Sequence, residues 1–214
     1  TIAENIRYGR ADASDEELQF MQQLDVGWAM LIPADLSQHT ALHYKQFKER
    51  FSRYEIQLYR VANHSVHNVE EITLNLPGRD QKIEEFCTFI RNLGAAGIHY
   101  NTYAHMANGV WSTPRETTRG DSSARAFDLE RLDETQGNRC SGAGLTHERE
   151  YSEEEIWDNF TSFAKEVAPV AKEAGVRIGI HPDDPPGLVL GGVPRSIFSS
   201  FAGYKRALDI ADSP

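Results

Sequence analysis

The chain has 214 residues, 40% of them hydrophobic, with 22 basic and 32 acidic side chains and a formal net charge of -10. That composition suits one soluble globular domain and excludes a collagen-like repeat or a disordered tail. No run approaches the roughly 20 consecutive apolar residues of a membrane-spanning helix, and the carboxylate excess argues against a nucleic-acid binder, whose affinity comes from Lys and Arg neutralising phosphates.

Ser14-Asp15-Glu16-Glu17 has the spacing of a capping box, and Leu18, Met21 and Leu24 continue it as a short amphipathic helix. Asp25-Val26-Gly27 breaks that helix, and Trp28 to Ile32, stopped by Pro33, reads as a buried strand. A helical pattern from about Ala41 to Tyr54 precedes Ile56 to Val61, which alternates like a strand. A third helix, about Arg79 to Leu93, sets Ile83, Phe86, Ile90 and Leu93 on one stripe, and Ile98 to Tyr103 follows as a strand. Ser152 and Glu155 form a second capping box, opening a long helix through Ile156, Phe160, Phe163 and Val167, with a kink expected at Pro169. Val176 to Ile180 is then a strand that delivers His181 at its C-terminal end.

Apolar strands alternating with amphipathic helices indicate right-handed βαβ units. A doubly wound sheet and a (β/α)₈ TIM barrel both fit that alternation. His64, His67, Asn101, His105 and His181 all fall just after strands, on the face where barrel enzymes build their sites. An open sheet also binds ligands at its carboxyl ends, but neither GxGxxG nor GxxxxGK[ST] follows any strand. The chain is therefore read as a single α/β domain over 1–214, with a long loop excursion at about 106–150 that is either a lid or a surface insertion.

Several residues attract a bland reading. Cys87 lies in a helical pattern as a small core residue, Cys140 in a Gly-rich loop as an exposed thiol, and two cysteines cannot form a disulfide framework, which suits a reducing cytoplasm. His64 and His67 are spaced by three, but following a strand they lack the helical frame of a shared metal site. Cys140 to Gly144 is an ordinary loop rather than a nucleophile turn, and the five glutamates of 148–155 lead into a helix N-terminus, where the dipole favours them. The Asn63 and Asn159 sequons matter only in secreted proteins, and Thr1 to Arg10 lacks a signal-peptide core. With no initiator Met, and with Pro214 falling where a helix stops, both ends are expected to be cuts.

The segment His181-Pro182-Asp183-Asp184-Pro185-Pro186 is a histidine leaving a strand with two carboxylates and three prolines behind it. Imidazole is a common ligand of divalent metals, and neighbouring carboxylates can orient it or bind hydroxyls. This "GIHPDDPP" stretch and "GGVPR" at Gly191 to Arg195 resemble the mannonate dehydratases, metal-dependent (β/α)₈ enzymes of hexuronate breakdown. The resemblance extends to "SVH" at Ser65 to His67, "RNLGAAGI" at Arg91 to Ile98, "YN" at Tyr100-Asn101, Trp111 and "ARAFD" at Ala124 to Asp128.

The resemblance implies that His181 is a metal ligand and that His67, Asn101, Trp111, Arg115, Arg119, Asp183 and Asp184 serve substrate binding. It implies Mn2+ as cofactor, with Fe2+ and Co2+ also suited to His, Cys and carboxylate ligands, and a cytoplasmic homo-oligomer acting on a sugar acid. The reaction it implies is loss of water from D-mannonate to give 2-keto-3-deoxy-D-gluconate. A cation acting as Lewis acid stabilises the charge that builds up when the proton α to the carboxylate leaves. The remaining metal ligands and the proton-transfer groups are expected beyond residue 214, so the chain is read as about the first five βα units of the barrel and as inactive alone. Thr102-Tyr103-Ala104 stands where relatives have Phe-Met-Pro, and Val110 where an aspartate is usual. Those departures keep two alternatives open: a sugar isomerase or epimerase of the xylose-isomerase-like barrels, and a non-catalytic sugar-acid or metal-binding homologue.

Overall fold

A computed structural model describes residues 12–33, 35–134, 144–195 and 197–213. Helix α1 (Asp15–Gln23) leads to strand β1 (Trp28–Leu31), helix α2 (Ala41–Ser52) and strand β2 (Gln57–Val61). Two short helices follow, α3 (His64–His67) and α4 (Glu70–Thr73), then α5 (Arg79–Ala95) and β3 (Tyr100–Tyr103). A hairpin of β4 (Thr113–Thr117) and β5 (Ser123–Ala126) occupies the expected loop excursion. Helix α6 (Glu153–Ala174) runs as one element through Pro169 to β6 (Arg177–Ile180), and a second hairpin, β7 (Leu188–Leu190) with β8 (Val193–Arg195), precedes α7 (Phe201–Ala211). Among the described residues there are four strands of the expected βα series, β1, β2, β3 and β6, each where the sequence places one. The Cys140 turn lies outside the described residues.

The chain divides into two compact units. The first contains Thr1–His67, Gln81–Tyr103 and Glu166–Gly179. Here β1 and β2 pair in parallel, Trp28 opposite Gln57 and Leu31 opposite Val61, with an irregularity between Ala29 and Met30, and β3 pairs with β6. The first strand is not buried throughout, as its apolar run suggested, but alternates like the others: Ala29, Leu31, Leu58, Val61 and Tyr103 are buried, whereas Trp28, Tyr59 and Tyr100 are exposed. Period-two alternation is what a sheet with one covered face requires. Tyr103 meets Phe86 of α5 edge to face, with ring centroids 5.5 Å apart. Gly94 of α5 lets that helix approach α6 closely, since a Cβ there would meet the Ala174 carbonyl oxygen.

The second unit contains Asn68–Asp80, Ala104–Lys165 and Ile180–Pro214. Its core is aromatic, with Trp157, Phe160 and Phe198 packed edge to face at 5.1 to 6.1 Å. The capping box at its long helix forms as expected: Ser152 N–H donates to Glu155 Oε2 at 2.7 Å and Glu155 N–H to Ser152 Oγ at 3.2 Å. The paired glycines of GGVPR have a local cause. Gly191 and Gly192 both have positive φ, and a Cβ on either would collide with Thr146 or Leu145. Thr146 N–H donates to Gly191 O and Tyr151 N–H to Gly192 O, so residues 145–151 lie directly against this turn.

Candidate active site

In the first unit, His67 closes the single turn of α3, with its Nδ1 3.1 Å from the Thr102 carbonyl oxygen. A carbonyl only accepts, so Nδ1 carries the proton and Nε2 the lone pair of the neutral ring. That bond ties His67 to β3, one residue beyond Asn101. Asn101 itself is 2% exposed, on the same alternation as buried Tyr103, and its Oδ1 has no hydrogen-bond partner among the described residues. The HxxH pair does sit on a helical turn after all, contrary to the expectation of a bare strand end. Its two rings meet edge to face at 6.4 Å, and no group of three metal-ligating side chains occurs among the described residues.

In the second unit, His181 leaves β6 exposed to solvent, its Nδ1 2.6 Å from the Pro182 carbonyl oxygen. This fixes the tautomer that leaves Nε2 available as a ligand, the arrangement metal-binding histidines adopt. Asp183 is buried, 4% exposed, and its Oδ2 accepts the Phe198 N–H at 3.0 Å. Burial pushes its carboxyl up, against the opposing pull of the Phe198 N–H, Arg195 and His181. Asp184 is half-buried and borders an open cleft of about 840 Å³ together with Glu116, Asp128, Glu130, Pro186 and Leu188.

Trp111 is committed to packing: it is buried against Leu190, with Phe127, Leu132 and Leu188 around it, and its Nε1 donates to Asn108 O at 3.2 Å. Arg115 lies on β4 and donates across the hairpin to Ser123 Oγ at 2.8 Å and Ser123 O at 2.6 Å. Arg119 is exposed in the 3₁₀ turn Arg119–Asp121 at the hairpin tip, where Gly120 takes φ +69°. His105, one of the strand-end histidines, is buried among rings, 5.5 Å from Phe160 and 6.4 Å from Phe163 between centroids. The residue that sequence reasoning passed over is Arg195, quoted only as the last letter of a motif. It is among the largest fully buried side chains described. A single charge in the otherwise uncharged run from Pro185 to Tyr204 was the available signal.

The α/β fold matches barrel sugar enzymes over somewhat more than half of their chains. The D-psicose 3-epimerase of Clostridium cellulolyticum H10 superposes with a TM-score of 0.53 at 12% identity, over 95% of this chain and 56% of that one, a likeness of fold alone. The crystal structure of mannonate dehydratase from Streptococcus suis serotype 2 superposes with a TM-score of 0.72 at 26% identity, over 95% of this chain and 60% of that one. A family model described as D-mannonate dehydratase (UxuA) matches residues 40–214, and the chain belongs to that family. The mannonate dehydratase of Shouchella clausii is 32% identical over 199 residues, 79% of this chain and 53% of that protein. The mannonate dehydratase of Streptococcus pneumoniae is 35% identical over 162 residues, 67% of this chain and 44% of that protein. The chain thus spans about half the length of the curated relatives it matches.

Proposed function

We propose that the complete protein is a metal-dependent dehydratase converting D-mannonate to 2-keto-3-deoxy-D-gluconate in hexuronate catabolism, acting in the cytoplasm as a homo-oligomer. The observation that carries this, beside family membership, is His181: it sits at a strand end with Nδ1 committed to the Pro182 carbonyl and Nε2 available. The donor chemistry fits one ligand of a Mn2+-type ion, with Fe2+ and Co2+ as substitutes. Asp183 fits a bracing role better than ligation, because its carboxylate is engaged with Phe198. When bound, such an ion supplies Lewis acidity toward the carboxylate and hydroxyl oxygens of the sugar acid.

This chain's own residues would bind and orient. His67 and Asn101 belong to the unit that carries β1 to β3, and Arg115 and Arg119 offer guanidinium groups to the substrate carboxylate. Arg119, at the exposed tip, is the better candidate, because Arg115 already holds Ser123. The family resemblance assigns the remaining ligands and the acid and base to strands beyond residue 214 of a single (β/α)₈ domain, so residues 1–214 alone are expected to be inactive. Incubating the complete protein with D-mannonate and Mn2+ while following 2-keto acid formation tests the proposal. A new epimer seen by NMR without keto acid would replace it with the epimerase reading, and neither product would leave a binding protein.

A further inference from the structure

Arg195 ends β8 with 1% of its surface exposed. Its Nη1 donates to the Asp184 carbonyl oxygen and lies 3.5 Å from Met106 Sδ. Its Nη2 donates to Ala107 O at 2.8 Å, Asn108 Oδ1 at 2.6 Å and the Gly109 carbonyl oxygen. One rigid guanidinium therefore joins two loops of the second unit: 104–109, which follows β3, and the His181 turn, which follows β6. A planar fork with donors at fixed angles holds such acceptors in register, which a flexible ammonium does not. Burying this charge is costly unless its donors are met, and here backbone carbonyls and an amide oxygen meet those of Nη1 and Nη2. Asn108 extends the clamp, since its Nδ2 donates to Leu190 O at 2.8 Å and Thr146 Oγ1 at 3.1 Å, and its N–H to Glu70 Oε1 at 2.7 Å.

We infer that Arg195 is a positioning residue that sets where His181 and Asp184 stand by clamping their turn to loop 104–109, without itself touching substrate or metal. Its consequence for turnover rests on the dehydratase reading, whereas the clamp does not. The test compares Arg195→Met and Arg195→Lys with the parent in the complete protein, by amide hydrogen exchange and by Mn2+ titration. In Arg195→Met, exchange should accelerate about tenfold or more in 104–109 and 181–186 while the α6 segment 156–163 keeps its protection. The Mn2+ dissociation constant should rise about 10- to 100-fold, the usual effect of losing a group that orients a ligand, and kcat should stay low at saturating Mn2+. Arg195→Lys, which keeps the charge and part of the donor set, should recover part of each effect and serves if the Met variant does not fold. Unchanged exchange in either loop overturns the clamp, as does uniform acceleration that includes α6. Loop-confined acceleration with unchanged Mn2+ affinity overturns positioning of the ligand. A parent protein that neither binds Mn2+ nor forms keto acid refutes the dehydratase reading instead, and the exchange comparison still decides the clamp.

Discussion

His105 shows how far one side chain can depart from what its place in the chain suggests. It follows β3 like a site residue, yet it is buried between Phe160 and Phe163, and burial pushes its pKa from the ordinary 6.5 to about 3 against an opposing backbone hydrogen bond at Ile156. The folded state therefore holds the neutral ring. Its contribution to stability is intact above pH 6.5 and is lost as pH falls toward 3, because the unfolded chain takes up the proton first. Replacing His105 with Phe should flatten the pH dependence of urea unfolding between pH 6.5 and 4, on the order of a few kcal/mol; an unaltered slope would show that other groups carry the acid sensitivity. His181, exposed and held by its own neighbour, is expected to matter for metal binding rather than for stability. In the complete protein His181→Ala should lower Mn2+ content with little change in melting temperature, and full metal occupancy by elemental analysis would remove it from the ligand set. His181 was legible in the sequence because a histidine ending a strand, followed by Pro-Asp-Asp-Pro-Pro, is a local pattern. Arg195 was not, because all of its acceptors but the Asp184 carbonyl lie 86 to 89 residues away at 106 to 109, and only the folded loops bring them to it.

At the scale of elements, the same division between local and distant causes holds. Both capping boxes, Ser14 with Glu17 and Ser152 with Glu155, formed where the residues predicted them, since a cap needs only its own first turn. Ser152→Ala should cost about 1 kcal/mol of stability, read as a lower urea midpoint. The β4–β5 hairpin escaped sequence reading because most of its residues are exposed, so Thr-Pro-Arg-Glu-Thr carries no apolar period to detect. Gly94 is the sharper case. By helix propensity, Gly94→Ala should stabilise α5 by about 0.5–1 kcal/mol. A Cβ there would overlap the Ala174 carbonyl oxygen and stand 2.9 Å from the Ala174 Cβ, and both atoms belong to the last helical residue of α6 rather than to the far end of a flexible side chain. Overpacking should win, so the variant is expected to be less stable than the parent by about 1–3 kcal/mol in chemical denaturation. A rise in the unfolding midpoint would mean that the two helices separate freely.

For the whole molecule, the alternation of helix and strand carried the fold class, while the outer face of the first strand was misjudged. Trp28 to Ile32 reads as wholly buried, yet Trp28 is 60% exposed. It begins a row that crosses three strands: Trp28 meets Tyr59 edge to face at 6.5 Å, and Tyr59 stacks on Tyr100 at 6.3 Å. The row borders a cavity of about 1010 Å³ in the first unit, lined also by Lys48, His99 and Arg177. An apolar row of this size open to water favours association, and the net charge of -10 opposes it by mutual repulsion between copies. Salt decides between the two, since screening weakens repulsion over distances beyond about 8–10 Å at moderate ionic strength and leaves apolar burial in place. The 214-residue chain expressed alone should therefore sediment as a monomer at low salt and shift to larger species as salt is raised. Trp28 emission should move to the blue over the same range. Replacing Trp28 and Tyr59 together with Ser should abolish the shift. Association that instead falls with salt, or survives the double replacement, would place the contact on charged surface elsewhere in the molecule.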